Sequence, residues 1–121
     1  MNMENELEKL FAQFEIHPND RELYRQAFTH ASYHNEHPES EDYDRLEYLG
    51  DSILDMVIAD FLYHEYPKCN SGLLSKMRSV LVSGTMLTNL SEQKYGFSRL
   101  VRYSRGEKEN VRFHKHIDED V

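Results

Sequence analysis

Apolar residues recur along most of this chain at steps of three and four, the period of helices that bury one face. Leu7, Leu10, Phe11 and Phe14 share one side of a helix predicted over residues 4–14. The stretch His17-Pro18-Asn19-Asp20 breaks the pattern, and Asn19 with Glu22 three residues later has the form of a capping box. A second helix is expected over 20–33, with Leu23, Ala27 and Phe28 inward. The polar, proline-containing stretch 34–40 reads as a loop. Ser40 can cap a third helix over 41–65. Its apolar positions Leu46, Leu49, Ile53, Leu54, Val57, Ile58, Phe61 and Leu62 cover a wide stripe. Such a helix is expected to lie centrally, buried on most of its circumference. After a turn at 67–72, Ser71 can cap a fourth helix over 72–95, with Leu73, Met77, Val80, Leu81, Leu87 and Leu90 inward. Gly96 suits the left-handed position that ends it. Residues 97–116 are less periodic, with a loop at Arg105-Gly106-Glu107, and 117–121 have the acidic look of a helix start. With no repeat or linker, the pattern predicts an all-α fold in one domain over 1–121.

Composition narrows the setting. The 121 residues can build one core but hardly two. No apolar run approaches the ~18 residues of a membrane span, and the opening MNMENELEKL lacks the basic-then-apolar layout of a secretion signal. The single cysteine, Cys69, cannot form an internal disulfide. These features point to a cytoplasmic protein with no membrane partner.

A net charge of −8 argues at first against a nucleic-acid partner. Its distribution changes that reading. Residues 1–67 hold 16 acids and 4 bases, whereas residues 68–121 hold 6 acids and 10 bases. Carboxylates for cations, beside a basic stretch for phosphates, are what a metal-dependent phosphodiesterase needs. The plainer alternative is a solvated acidic helical surface.

The most informative stretch is Asp44-Arg45-Leu46-Glu47-Tyr48-Leu49-Gly50-Asp51. Glu47 and Asp51, four apart, lie one turn apart on one helix face, and Asp44 and Asp55 extend the line. Like charges so placed cost roughly 0.2–0.5 kcal/mol per pair, and Gly50 inside a helix costs about 1 kcal/mol relative to Ala. A divalent cation between the carboxylates would offset the first cost. Close approach of another backbone would explain the glycine. On spacing alone, an ordinary acidic face neutralised by Arg45 or another cation is the stronger reading.

The string DRLEYLGDS resembles the signature of the ribonuclease III family. The resemblance continues on both sides, through Gln26-Ala27-Phe28-Thr29-His30-Ala31-Ser32 and through Gly72-Leu73-Leu74-Ser75-Lys76-Met77-Arg78 to Leu81-Val82-Ser83. Asp120-Val121 is similar to the start of that family's second acidic motif. The resemblance implies an all-α, ribonuclease III-like helical endonuclease domain that cuts double-stranded RNA by two-metal hydrolysis, in ribosomal and messenger RNA processing. It implies Glu47, Asp51 and Asp120 as metal-binding carboxylates, with Asp51 close to the attacking water. Mg²⁺ would be the ion, with Mn²⁺ as a substitute, and the protein would be a homodimer with the signature helices near the two-fold axis. Duplex RNA would be read through phosphates and 2′-hydroxyls. Lys76, Arg78, Arg99, Arg102 and Arg105 are the candidate contacts, against the plainer reading of ordinary surface charge.

Three departures from the family pattern matter. Asp44 replaces the usual Glu at the head of the signature, shortening its reach by one methylene. Ser71 stands where many members carry a Glu. A fourth carboxylate, a Glu three residues after Asp120, falls past Val121, as would the longer helical domain and the separate RNA-binding domain. The catalytic domain is therefore expected to be incomplete at its C-terminus, and chain 1–121 to hold metal weakly and cleave slowly or not at all.

Other chemistry is weaker. His30, His34, His37, His114 and His116 invite zinc, but no Cys-x-x-Cys or His-Glu-x-x-His spacing accompanies them. Cys69 has no triad logic around it, and the aromatic residues mostly fall at core spacing. A non-catalytic RNA-binding or dimeric scaffold is the main rival, though such a relative would often have lost the acids kept here.

Overall fold

The computed structural model describes residues 3–106. Among these residues the α-helices are, in order, α1 (Met3–Gln13), α2 (Arg21–Ala27), α3 (Ala31–Glu36), α4 (Asp44–Glu65), α5 (Ser71–Leu81) and α6 (Gly84–Leu90). A π-helical turn, Ser91–Tyr95, and a 3-10 turn, Phe97–Leu100, continue from α6. Among the described residues there is no strand, only one isolated parallel bridge between Thr29 and Arg102. The fold is all-α, as the periodicity predicts.

The core lies away from the signature helix. Leu7, Leu10 and Phe11 of α1 pack with Phe28 and with Leu100, Val101 and Tyr103. Phe11 meets Tyr24 edge-on with ring centroids 4.9 Å apart, and Phe28 meets Phe97 at 5.9 Å. The segment after the 3-10 turn thus closes the core that α1 and α2 open.

Two predicted helices are broken. The expected helix over 20–33 divides at Phe28–His30, where the backbone pairs with Arg102 instead of continuing its own ladder: the Arg102 N–H donates to the Phe28 carbonyl at 2.7 Å, and the His30 N–H to the Arg102 carbonyl at 3.0 Å. The helix over 72–95 divides at Val82–Ser83, where the Ser83 hydroxyl caps α6 by accepting the Met86 N–H at 3.2 Å. Two caps shift by one residue. Asp20, not Asn19, accepts the Glu22 N–H, and Asn70, not Ser71, accepts the Leu73 N–H. Gly96 takes the left-handed conformation at φ 62°, as expected.

The expected burial of α4 is overturned. Leu62 is its one buried side chain, while Leu49, Ile53, Met56, Val57 and Phe61 are each about half or more exposed. Leu23, Leu73, Val80 and Leu90, also expected inward, are exposed. Helical periodicity identifies an apolar face but not the surface that covers it, and among the described residues nothing covers these.

Candidate functional site

The acidic face of α4 is set by how the helix begins. Tyr43, the N-cap residue, makes no side-chain capping bond. Its position comes from tertiary contacts instead. The Tyr43 N–H donates to the Thr29 carbonyl at 2.9 Å, and its own carbonyl accepts the Glu47 N–H at 2.8 Å. Beside it, Gln26 Nε2 donates to the Asp42 carbonyl at 3.1 Å, and Asp42 Oδ1 accepts the Asp44 N–H at 3.0 Å. The buried Tyr43 ring lies edge-on to His30 at 6.1 Å, and His30 lies 5.6 Å from Tyr103.

From that start, Glu47 is half-buried and Asp44, Asp51 and Asp55 are exposed. Asp44 and Glu47 fall in the first turn, where the unpaired N–H groups favour negative charge. An open cleft of about 730 Å³ adjoins Asp44, lined also by Gln26, Glu41, Arg45, Leu46, Tyr48 and Leu49; Glu47 and Asp51 do not line it. Among the described residues, no three His, Cys, Asp or Glu side chains are grouped closely enough to hold a metal ion. Of the three carboxylates that the sequence suggests as ligands, Glu47 and Asp51 stand one turn apart on α4, and Asp120 lies outside the described residues. Two carboxylates of hard oxygen suit Mg²⁺, which keeps several waters and completes its shell with substrate phosphates. The donor set fits that ion as a partial site. A Cβ added at Gly50 would meet nothing within 4 Å, so among the described residues no other segment approaches it.

The expected basic contacts are dispersed. Lys76 is exposed and Arg78 half-buried on α5; two residues apart, they point to different sides. Arg99 is engaged by Glu6, its Nε 3.0 Å from the carboxylate. Arg102 donates through Nε and Nη2 to the Thr29 hydroxyl, at 3.0 and 2.6 Å, and lies over the Tyr33 ring at 4.7 Å. Arg105 is exposed. The bases after it, to Lys115, lie outside the described residues.

The three described histidines among the zinc candidates have local partners. His30 Nδ1 accepts the Ser32 N–H at 3.2 Å and so caps α3. His34 Nδ1 lies 2.5 Å from the Ser40 carbonyl, and His37 Nδ1 lies 3.3 Å from the Tyr33 carbonyl. Sequence reasoning passed over Thr29, His30 and Tyr43 as parts of the site. The signal available for Thr29 and His30 was their place in a segment that resembles the family without a periodic reason for its Thr and His; Tyr43 carried none beyond preceding the signature.

Residues 20–117 match the Ribonuclease-III-like family. Ribonuclease 3 of Lactobacillus acidophilus is 38% identical over 118 residues, covering 95% of this chain and 51% of that protein. Ribonuclease 3 of Mycoplasma genitalium is 48% identical over 84 residues, covering 68% of this chain and 32% of that protein. The nuclease domain of ribonuclease III from Campylobacter jejuni, a protein with structural flexibility in a region involved in dimer formation, superimposes with a TM-score of 0.84 at 30% identity. That match covers 94% of this chain and 77% of the other. The chain spans about half the length, or less, of the Ribonuclease 3 relatives it matches.

Proposed function

Because the chain belongs to the ribonuclease III-like family, we propose that it is an endoribonuclease of double-stranded RNA, working in the cytoplasm on ribosomal and messenger precursors. The observation that carries this reading is the pair Glu47 and Asp51, one turn apart on α4, the first half-buried and the second open to solvent. Glu47, Asp51 and Asp120 would hold Mg²⁺, or Mn²⁺ in its place. Bound there, the ions would polarise the scissile phosphate and favour ionisation of a water. Asp51, open to solvent, offers an oxygen to orient that water by accepting its hydrogen bond. Glu47, half-buried, is the more firmly placed of the two.

The RNA would be met through its phosphates by Lys76, Arg78 and Arg105. Arg99 and Arg102 would join them only by exchanging Glu6 and Thr29 for phosphate. The chain would work as a homodimer. Leu49, Ile53, Met56, Val57 and Phe61 are exposed on adjoining sides of α4, an apolar surface of the kind that marks an interface. A second copy laid across it by a two-fold axis would cover both faces with one set of contacts.

The test is incubation with a long RNA duplex and Mg²⁺ of the chain, its Asp51→Asn variant, and a version lengthened past Val121 to carry a Glu three residues after Asp120. Expected are slow or absent cleavage by the chain, ready cleavage by the longer version, and a loss of about 10²–10³-fold when Asp51→Asn is placed in that version. Failure of every form to cut duplex RNA, or cutting indifferent to Asp51→Asn, would overturn the reading in favour of a scaffold.

A further inference from the structure

We infer that Thr29 is a positioning residue for Glu47, the node through which Arg102 fixes the start of α4. The inference rests on the proposed role of Glu47, but its geometry is independent of that role. Thr29 is fully buried, at 0% exposure. Its hydroxyl donates to the Arg25 carbonyl at 2.6 Å and accepts from Nε and Nη2 of Arg102. One donated and two accepted bonds fill the capacity of a hydroxyl. Its carbonyl accepts the Tyr43 N–H, and the Tyr43 carbonyl accepts the Glu47 N–H. Three links therefore join Arg102 to the backbone of a proposed ligand, across 73 residues of sequence at the Thr29–Arg102 step.

The arrangement matters because the N-cap residue of α4 supplies no side-chain cap, and the one local side-chain bond at the helix start, from the Asp44 N–H to Asp42 Oδ1, does not reach Tyr43 or Glu47. No side chain of Tyr43 caps it, whereas Ser, Thr, Asp or Asn at that position would normally accept a first-turn N–H. The first intrahelical bond, Glu47 to Tyr43, is then only as well placed as Tyr43 is. Tyr43 is held by Thr29, and Thr29 by Arg102 on one side and α2 on the other. Arg102 is oriented for this by the Tyr33 ring beneath its guanidinium and by backbone bonds to Phe28 and His30. A basic residue in a basic stretch thus works inward.

The experiment reads the Glu47 amide in metal-free protein by hydrogen exchange, in the chain and in Thr29→Val, Thr29→Ser and Arg102→Met, with the α4 amides near Leu62 as the internal reference. In Thr29→Val the Glu47 amide is expected to exchange about tenfold faster relative to that reference, the factor that one hydrogen bond's net contribution carries. Thr29→Ser, which keeps the hydroxyl, restores most of the protection. If Thr29→Val does not fold, Arg102→Met, which spares the bond from Thr29 to Arg25, is expected to show the same selective loosening. Exchange that rises uniformly along α4, or not at all, or equally in the Ser and Val variants, would overturn the inference. Selective loosening with no duplex cleavage by any form, the lengthened version included, would sink the endonuclease reading and leave this one standing.

Discussion

Arg99 reaches from the 3-10 turn to Glu6 on α1, its Nε 3.0 Å from a carboxylate that is only 4% exposed. Lys9 adds a longer contact at 3.4 Å. A buried carboxylate is costly unless it is paired, so this contact ties the closing segment of the core to its first helix. Replacing Arg99 with Met leaves Glu6 largely uncompensated and is expected to cost about 2 kcal/mol. Urea unfolding measures it. A loss below about 0.5 kcal/mol, the scatter of ordinary surface substitutions, would mean that Lys9 and water meet the charge unaided.

Gly50 separates what the chain needs from what an assembly would need. A Cβ there meets nothing within 4 Å, so Gly50→Ala should stabilise the isolated fold by up to about 1 kcal/mol through helix propensity. If a second copy lies across α4, the same methyl should weaken self-association. Thermal melts at low concentration, paired with sedimentation at high concentration, read the two effects separately. A melt that is unchanged or lowered at low concentration would show that the glycine already serves the single chain.

Ile53 is 49% exposed, so Ile53→Asp should leave the chain folded. Burying a large apolar side chain contributes about 1.5–3 kcal/mol, and a two-fold interface uses each residue twice. If two copies pair through this face, the dissociation constant of the dimer should therefore rise by about 10²-fold or more. Sedimentation velocity is the check, and an unchanged profile for Ile53→Asp would argue against this face as the contact.

The bond between Glu4 and Arg25 gives α1 and α2 a pH-sensitive tie. Arg25 Nε and Nη2 donate to the two oxygens of Glu4 at 2.6 and 3.0 Å. This hydrogen bonding holds the Glu4 carboxyl below its ordinary value of 4.5 and raises the Arg25 guanidinium. A depressed folded value means that the contribution is present above 4.5 and is lost as pH falls through the lowered value. Both side chains are partly exposed, so the effect should stay below about 1 kcal/mol. Glu4→Gln should lower stability at neutral pH and match the unmodified chain in strong acid. A constant gap across that range would place the effect in packing.

The parts of this fold that short stretches determine could be read from sequence, and the parts that distant residues determine could not. Gly96 was legible because a left-handed residue after a helical run needs no partner to explain it. The carboxylate line of α4 was legible because spacing alone aligns it. The break at Phe28–His30 was not: what stops that helix is Arg102, seventy residues away, and the local sequence is as compatible with a continuous helix. The exposure of Leu49, Ile53 and Val57 was hidden for a related reason. A stripe meant for a neighbour and a stripe meant for a core have the same period.

The wide turn at Ser91–Tyr95 has a consequence for chain length. There the Gly96 N–H reaches back five residues to the Ser91 carbonyl, the spacing of a helix carrying one residue more than an α turn holds. Each residue of an α-helix turns the chain by about 100°. Deleting Gln93 would take out the slack, rotate the downstream chain by roughly that angle, and carry Leu100 and Val101 off the core they complete. The bulge acts as a phase adjuster, and this stretch should tolerate almost any change of side chain at Gln93 far better than a change in count.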